Sequence, residues 1–121
     1  MASKLIMIVE DSPTDSKIAE SLCLENGFKV VTVTEGDKAL AVAIEKKPDL
    51  ILLDVILPNK NGFQVCRQLK TNAETKDIKI IIVSSKDQAS DKFWGMKQGA
   101  DDYITKPYSE DDLIAAIQKN I

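Results

Sequence analysis

Glu10, Asp11, Asp54, Ser84, Ser85 and Lys106 could do chemistry together, because each stands where an apolar run stops. Asp54 closes Leu50-Ile51-Leu52-Leu53, an unalternating run that reads as a strand buried on both faces. Glu10-Asp11 closes the run that starts at Lys4-Leu5 and ends at Val9. Ser84-Ser85 closes Ile80-Ile81-Ile82-Val83, and Lys106-Pro107 follows Asp101-Asp102-Tyr103-Ile104-Thr105. In open α/β sheets, ligand chemistry gathers at the carboxyl ends of the strands. These ends would present three carboxylates, two hydroxyls and one ammonium. Carboxylates held close together repel one another and require a compensating charge. A hard divalent cation such as Mg²⁺, which prefers oxygen ligands, supplies it, and Lys106 adds a second positive charge. Metal, ammonium and hydroxyl describe a pocket for a phosphoryl group, where the work is positioning and charge neutralisation. Asp54 is then a nucleophile that forms an acyl phosphate. Taken singly, Glu10-Asp11 reads equally well as a solvated helix start, Ser84-Ser85 as an N-cap and Lys106 as a surface lysine. Their coincidence at strand ends is what favours a site.

Composition narrows the chemistry further. The chain has 121 residues, 44% of them hydrophobic and 29% charged, as suits one globular domain. It contains no histidine, which removes Ser-His-Asp and Cys-His machinery and histidine zinc sites. The net charge of −3 argues against a nucleic-acid surface. No apolar run is long enough to span a membrane, and no signal peptide is visible. Cys23 and Cys66 are expected as reduced, packed thiols, which places the chain in the cytoplasm.

The elements that must hold these residues alternate regularly. Ser12-Pro13-x-Asp15 starts a helix as a capping-box-like spacing, with Ile18, Ala19 and Leu22 as its stripe, and Asn26-Gly27 stops it. Phe28 to Val33 alternates as an edge strand would. Gly36 opens a second helix with Leu40, Ala43 and Ile44 inward, and Pro48 stops it. Pro58 to Gly62 is a loop, and Phe63, Cys66 and Leu69 mark a third helix. Thr71 to Asp77 connects to strand four. A fourth helix carries Ala89, Phe93 and Met96 as an inward stripe, with Gly95 weakening it. Ser109-x-x-Asp112 opens the last helix, with Leu113, Ala116, Ile117 and Ile121 on one face. Five strands alternating with five helices specify an α/β fold, a doubly wound parallel sheet covered on both faces. The last helix ends with the chain, so residues 1–121 are expected to be a single domain with no effector domain.

Three other uses of this fold class compete. A flavodoxin-like nucleotide binder would draw on Ser12, Thr14 and Ser16, but Glu10, Asp11 and Asp15 would repel a phosphate there and no glycine lets the backbone approach it. An aspartyl-nucleophile phosphatase of the haloacid-dehalogenase type needs an acid two residues after its nucleophile, where this chain has Ile56. A plain scaffold protein would ignore Mg²⁺.

Ile8-Val9-Glu10-Asp11-Ser12, Leu52 to Pro58 with Gly62, Ile82-Val83-Ser84-Ser85, and Tyr103 to Tyr108 together resemble the receiver domain of two-component response regulators. The match is to the single-domain, chemotaxis-regulator type and covers Lys4 to Ile121. The resemblance implies a flavodoxin-like (βα)5 sheet with strand order 2-1-3-4-5. It implies that Asp54 is the phosphoacceptor, that Glu10 and Asp11 hold Mg²⁺ with Asp54, and that Ile56 contributes a backbone carbonyl. Lys106 matches the phosphate-binding lysine, preceding a cis bond to Pro107. Ser84 and Tyr103 match a switching pair, Ser85 lies beside the phosphate entrance, and Lys86 borders the path of a hydrolytic water, as does Ile56. The implied donor is a phosphohistidine on a histidine kinase or histidine phosphotransfer domain. Output would be binding of a downstream protein by a monomer, or service as a phosphate sink. The expected contact face is the fourth helix, fifth strand and last helix, with Trp94 taking part.

Overall fold

A computed structural model describes residues 3–121. Its strands are β1 (Leu5–Val9), β2 (Lys29–Val33), β3 (Leu50–Leu53), β4 (Lys79–Ser84) and β5 (Asp102–Thr105). Its helices are α1 (Pro13–Glu25), α2 (Ala39–Lys46), α3 (Gly62–Thr71), α4 (Ala89–Lys97) and α5 (Glu110–Asn120). The strands form one parallel sheet in the order β2-β1-β3-β4-β5, as expected.

Unalternating strands give this sheet two apolar faces. Met7, Val9, Ile51, Leu53, Ile80 and Ile82 point to one side, where α2 and α3 cover them through Ala39, Ala43, Val65, Cys66 and Leu69. Ile6, Ile8, Leu50, Leu52, Ile81 and Val83 point to the other, against Ala19 and Cys23 of α1 and Leu113, Ile114 and Ile117 of α5. The polar site residues follow these apolar runs, at the carboxyl ends of the strands.

Local chemistry sets the boundaries. Ser12 Oγ accepts from Asp15 N at 3.2 Å and Ser109 Oγ accepts from Asp112 N at 3.0 Å, so both hydroxyl caps form as expected. Gly36 begins a short 3₁₀ turn (Gly36–Lys38) rather than α2 itself. α2 ends with Lys47 in the left-handed region at φ 51°, and Pro48 follows. β5 starts one residue late because the Asp101 carboxylate accepts from Ile80 N at 2.9 Å and from Lys70 Nζ at 2.8 Å, which bends the chain before the ladder begins.

α4 corrects the sequence expectation. Ala89, Phe93 and Met96 do not face inward: Ala89 is exposed, and Phe93 and Met96 are 64% and 48% exposed. The buried positions are Gly95 and, at the helix end, Gln98, with Asp91 half-buried. The cause is steric. A Cβ at Gly95 would lie 2.8 Å from Ile82 Cδ1 and 3.1 Å from Tyr103 Cδ2. The helix sits so close to the sheet that only a residue without a side chain fits beneath it. Gly95 is therefore a contact requirement, where its type had suggested a weak helix.

Candidate functional site

The backbone fixes the site before any side chain is considered. Glu10 N donates to Val33 O at 2.9 Å, Asp54 N to Val9 O at 3.0 Å and Lys106 N to Ser84 O at 2.9 Å. Glu10, Asp54 and Lys106 thus each extend the sheet ladder by one bond past their strand. Gly62 presses from the other side: a Cβ there would fall 2.2 Å from the Asp54 carbonyl oxygen. The first turn of α3 therefore rests directly on the Asp54 backbone.

Asp54 and Glu10 are 7% and 6% exposed. The two oxygens of Asp54 have different partners. Oδ1 accepts from Ile56 N at 3.0 Å, and Oδ2 accepts from Lys106 Nζ at 3.2 Å. Lys106 Nζ also donates to Glu10 Oε1 and, at 2.9 Å, to Asp15 Oδ2. All three of its N–H donors have a carboxylate partner. Asp11 stands exposed at the rim, with a carboxylate oxygen within 4.8 Å of one on Glu10 and one on Asp54.

Asp15 is the residue that sequence reasoning missed. Its spacing after Ser12 looked like a capping box, which would return its carboxylate to the Ser12 amide. Instead Ser12 N donates to Glu10 Oε2 at 3.2 Å, and this leaves the Asp15 carboxylate free to reach Lys106. The local signal was Glu10, two residues before Ser12 and able to take the same amide. The contact to Lys106 had no signal in the sequence.

The electrostatics follow from crowding. Burial pushes the Glu10 carboxyl up, the Lys106 ammonium pulls it down, and Asp54 raises it again, leaving it at about 7. Burial pulls the Lys106 ammonium down, but Glu10, Asp15 and Asp54 outweigh it and hold its pKa above the ordinary lysine value. One ammonium cannot neutralise Glu10, Asp11, Asp15 and Asp54. An all-oxygen donor set with excess negative charge suits a hard dication, so the residues present fit Mg²⁺.

Ser84 is fully buried, and its Oγ accepts from Lys86 N at 3.2 Å. The Tyr103 hydroxyl donates to Lys86 O at 2.7 Å, and its ring lies against Gly95. Ser85 is exposed and lines a cleft with Asp15, Ile18, Lys106, Pro107 and Tyr108. The Lys106–Pro107 bond is cis. Ile56 is 52% exposed. Lys86 is exposed and meets the site residues through its backbone. Trp94 lines a groove with Phe63, Arg67 and Gln68 of α3.

The family model for the response regulator receiver domain matches residues 6–118. The chain belongs to that family. This receiver domain is 45% identical over 112 residues to protein PilH of Pseudomonas aeruginosa PAO1, covering 93% of each chain. Among solved structures it is similar to the BeF3-activated receiver domain of Klebsiella pneumoniae RstA, at 31% identity and TM-score 0.90 over 97% of each chain. It is equally similar in fold to the receiver domain of the sensor histidine kinase PA1611 of Pseudomonas aeruginosa PAO1, at 26% identity and TM-score 0.90 over 98% of each chain. That structure has a magnesium ion coordinated in its active-site cleft. The family places this domain in two-component signalling; the nucleotide-binder and phosphatase alternatives belong to other families. Among the described residues no helix is long and apolar enough to cross a membrane.

Proposed function

We propose that this receiver domain takes a phosphoryl group from a phosphohistidine, on a histidine kinase or histidine phosphotransfer domain, onto Asp54. The observation that carries this is the Asp54 carboxylate at the strand end, with Oδ1 held by the Ile56 amide and Oδ2 by Lys106. A carboxylate oxygen of Asp54 attacks phosphorus, the bond from phosphorus to the donor's imidazole nitrogen breaks, and the electron pair returns to that ring. Lys106 then exchanges a carboxylate for phosphoryl oxygens, which suits its three-way sharing. Glu10, Asp11, Asp54 and the Ile56 carbonyl would hold Mg²⁺, which when bound offsets the negative charge that gathers at the acceptor. The magnesium in the PA1611 receiver domain and the activation of the RstA domain by BeF3 support this reading by likeness.

The Ser84 hydroxyl and Tyr103 would transmit the event. Ser84 turning toward the phosphoryl oxygens releases Lys86 N, and Lys86 O is the acceptor of the Tyr103 hydroxyl. The two side chains thus share one loop residue. The change would bias two existing states and alter partner binding on the face of α4, β5 and α5, where Phe93 and Met96 stand exposed. Such a domain would act in the cytoplasm as a monomer.

The test is intact mass after incubation with acetyl phosphate. One added phosphoryl group is expected in the wild type with Mg²⁺, and none in Asp54→Asn or with EDTA. Phosphorylation that persists in Asp54→Asn overturns the assignment.

A further inference from the structure

The groove between α3 and α4 lies outside the site at the strand ends. Its volume is about 690 Å³, and it is lined by Lys60, Gln64, Arg67, Gln68, Trp94 and Gln98, among others. We propose that this groove docks an acidic peptide segment of a partner protein. Three independent observations carry the proposal.

The first is charge. The lining holds two cations and no carboxylate, in a chain whose net charge is −3. Arg67 is exposed and forms no ion pair among the described residues. Lys60 is satisfied only by a neutral partner, donating to Gln68 Oε1 at 2.6 Å. An acidic side chain in the groove would meet both cations without competing with an internal carboxylate. Two cations are too few for a nucleic-acid backbone, whose binding rests on many phosphate contacts.

The second is a carboxamide with free hydrogen-bonding capacity. Gln98 is largely buried, but its carboxamide makes no hydrogen bond among the described residues and reaches solvent. It lines the groove, where a ligand can take up its donor and acceptor. Its paired donor and acceptor match the N–H and C=O of an extended peptide backbone.

The third is Trp94. It is 53% exposed and borders the groove beside Arg67, while the helix beneath it rests on the sheet through Gly95. A half-exposed tryptophan next to an unpaired arginine combines two of the residue types enriched at interface anchor points. An apolar side chain of the peptide would pack on the indole while a neighbouring acid reaches Arg67.

The experiment pans immobilised wild-type protein with a phage-displayed library of random linear peptides. Enriched peptides are then synthesised and titrated against the protein by isothermal titration calorimetry. The expected result is enrichment of peptides with excess Asp and Glu and at least one apolar residue. Their affinity should fall about tenfold in Arg67→Glu, fall similarly in Trp94→Ala, and weaken with added salt. Asp54→Asn should bind them as the wild type does, which separates this proposal from the phosphoacceptor reading. Arg67 and Trp94 are exposed, so both variants should keep the wild-type circular dichroism. No enrichment, enrichment of neutral or basic peptides, or binding unchanged in Arg67→Glu would overturn the proposal. Self-association of the wild type that Arg67→Glu abolishes, with no peptide selected, would assign the groove to a second copy instead.

Discussion

The Asp15 carboxylate lies 2.9 Å from the Lys106 ammonium, although 91 residues separate the two in sequence. Asp15 draws one of the three N–H donors of Lys106 away from the acids that would hold a metal. Removing it lets the ammonium lean further onto Glu10 and Asp54. Removing Lys106 frees both acids. The two substitutions should therefore shift Mg²⁺ affinity in opposite directions when read by calorimetric titration. Asp15→Asn is expected to weaken binding about threefold, because Asp15 is partly exposed and its charge is screened. Lys106→Ala is expected to tighten binding. Shifts in the same direction would show that the ammonium is not competing with the metal for these carboxylates.

Gly95→Ala tests the seating of α4. Alanine favours a helix over glycine by about 1 kcal/mol. Its methyl group, however, would stand 2.8 Å from Ile82 Cδ1 and 3.1 Å from the Tyr103 ring. Overpacking of this kind costs roughly 1–3 kcal/mol, so a net loss of about 1 kcal/mol is expected in urea unfolding. Tyr103→Ala removes one of the clashing groups, so the double variant should be more stable than the sum of the single losses implies. Simple additivity would mean that Tyr103 does not hold the helix at this distance.

The cysteines predict an alkaline limit to stability. Burial pushes the Cys23 thiol up to about 11 and the Cys66 thiol up to about 12, from a value of 9.0. For each, the folded pKa is raised, so the native state is favoured fully below pH 9. That advantage is lost as pH rises through the folded values, at up to about 1.4 kcal/mol per pH unit for each thiol. The urea midpoint should therefore fall between pH 9 and 11. The fall should be shallower in a Cys23→Ala, Cys66→Val double variant, although lysines and tyrosines also titrate there. Identical slopes in the two proteins would mean that the thiols ionise freely in the native state.

Much of this molecule could be read from the chain because its signals are local. Unbroken apolar runs marked the buried strands, and the carboxylate, hydroxyl and lysine after each run marked the sheet edge where they meet. Ser12 and Ser109 announced their helices through hydroxyl caps that act within three residues. Two features were not local. Asp15 had a plausible cap partner nearby, and only the fold brings it to Lys106. α4 showed apolar residues at helical spacing, and spacing alone cannot tell an inward stripe from an outward one. What decides is the depth at which the helix lies, and that is set by Ile82 and Tyr103 on other elements.

The way α4 rests on the sheet has a mechanical consequence. α3 buries Phe63, Val65, Cys66 and Leu69, whose side chains interdigitate with the core and act like gear teeth. Such a helix can move only if several rotamers change together. Within α4 the buried residue is Gly95, which presents backbone and no tooth. This contact is closer to a plain bearing: it keeps the helix near the sheet while setting little resistance to sliding along it. A small turn of the Tyr103 ring, which lies directly beneath that glycine, is then large enough to matter.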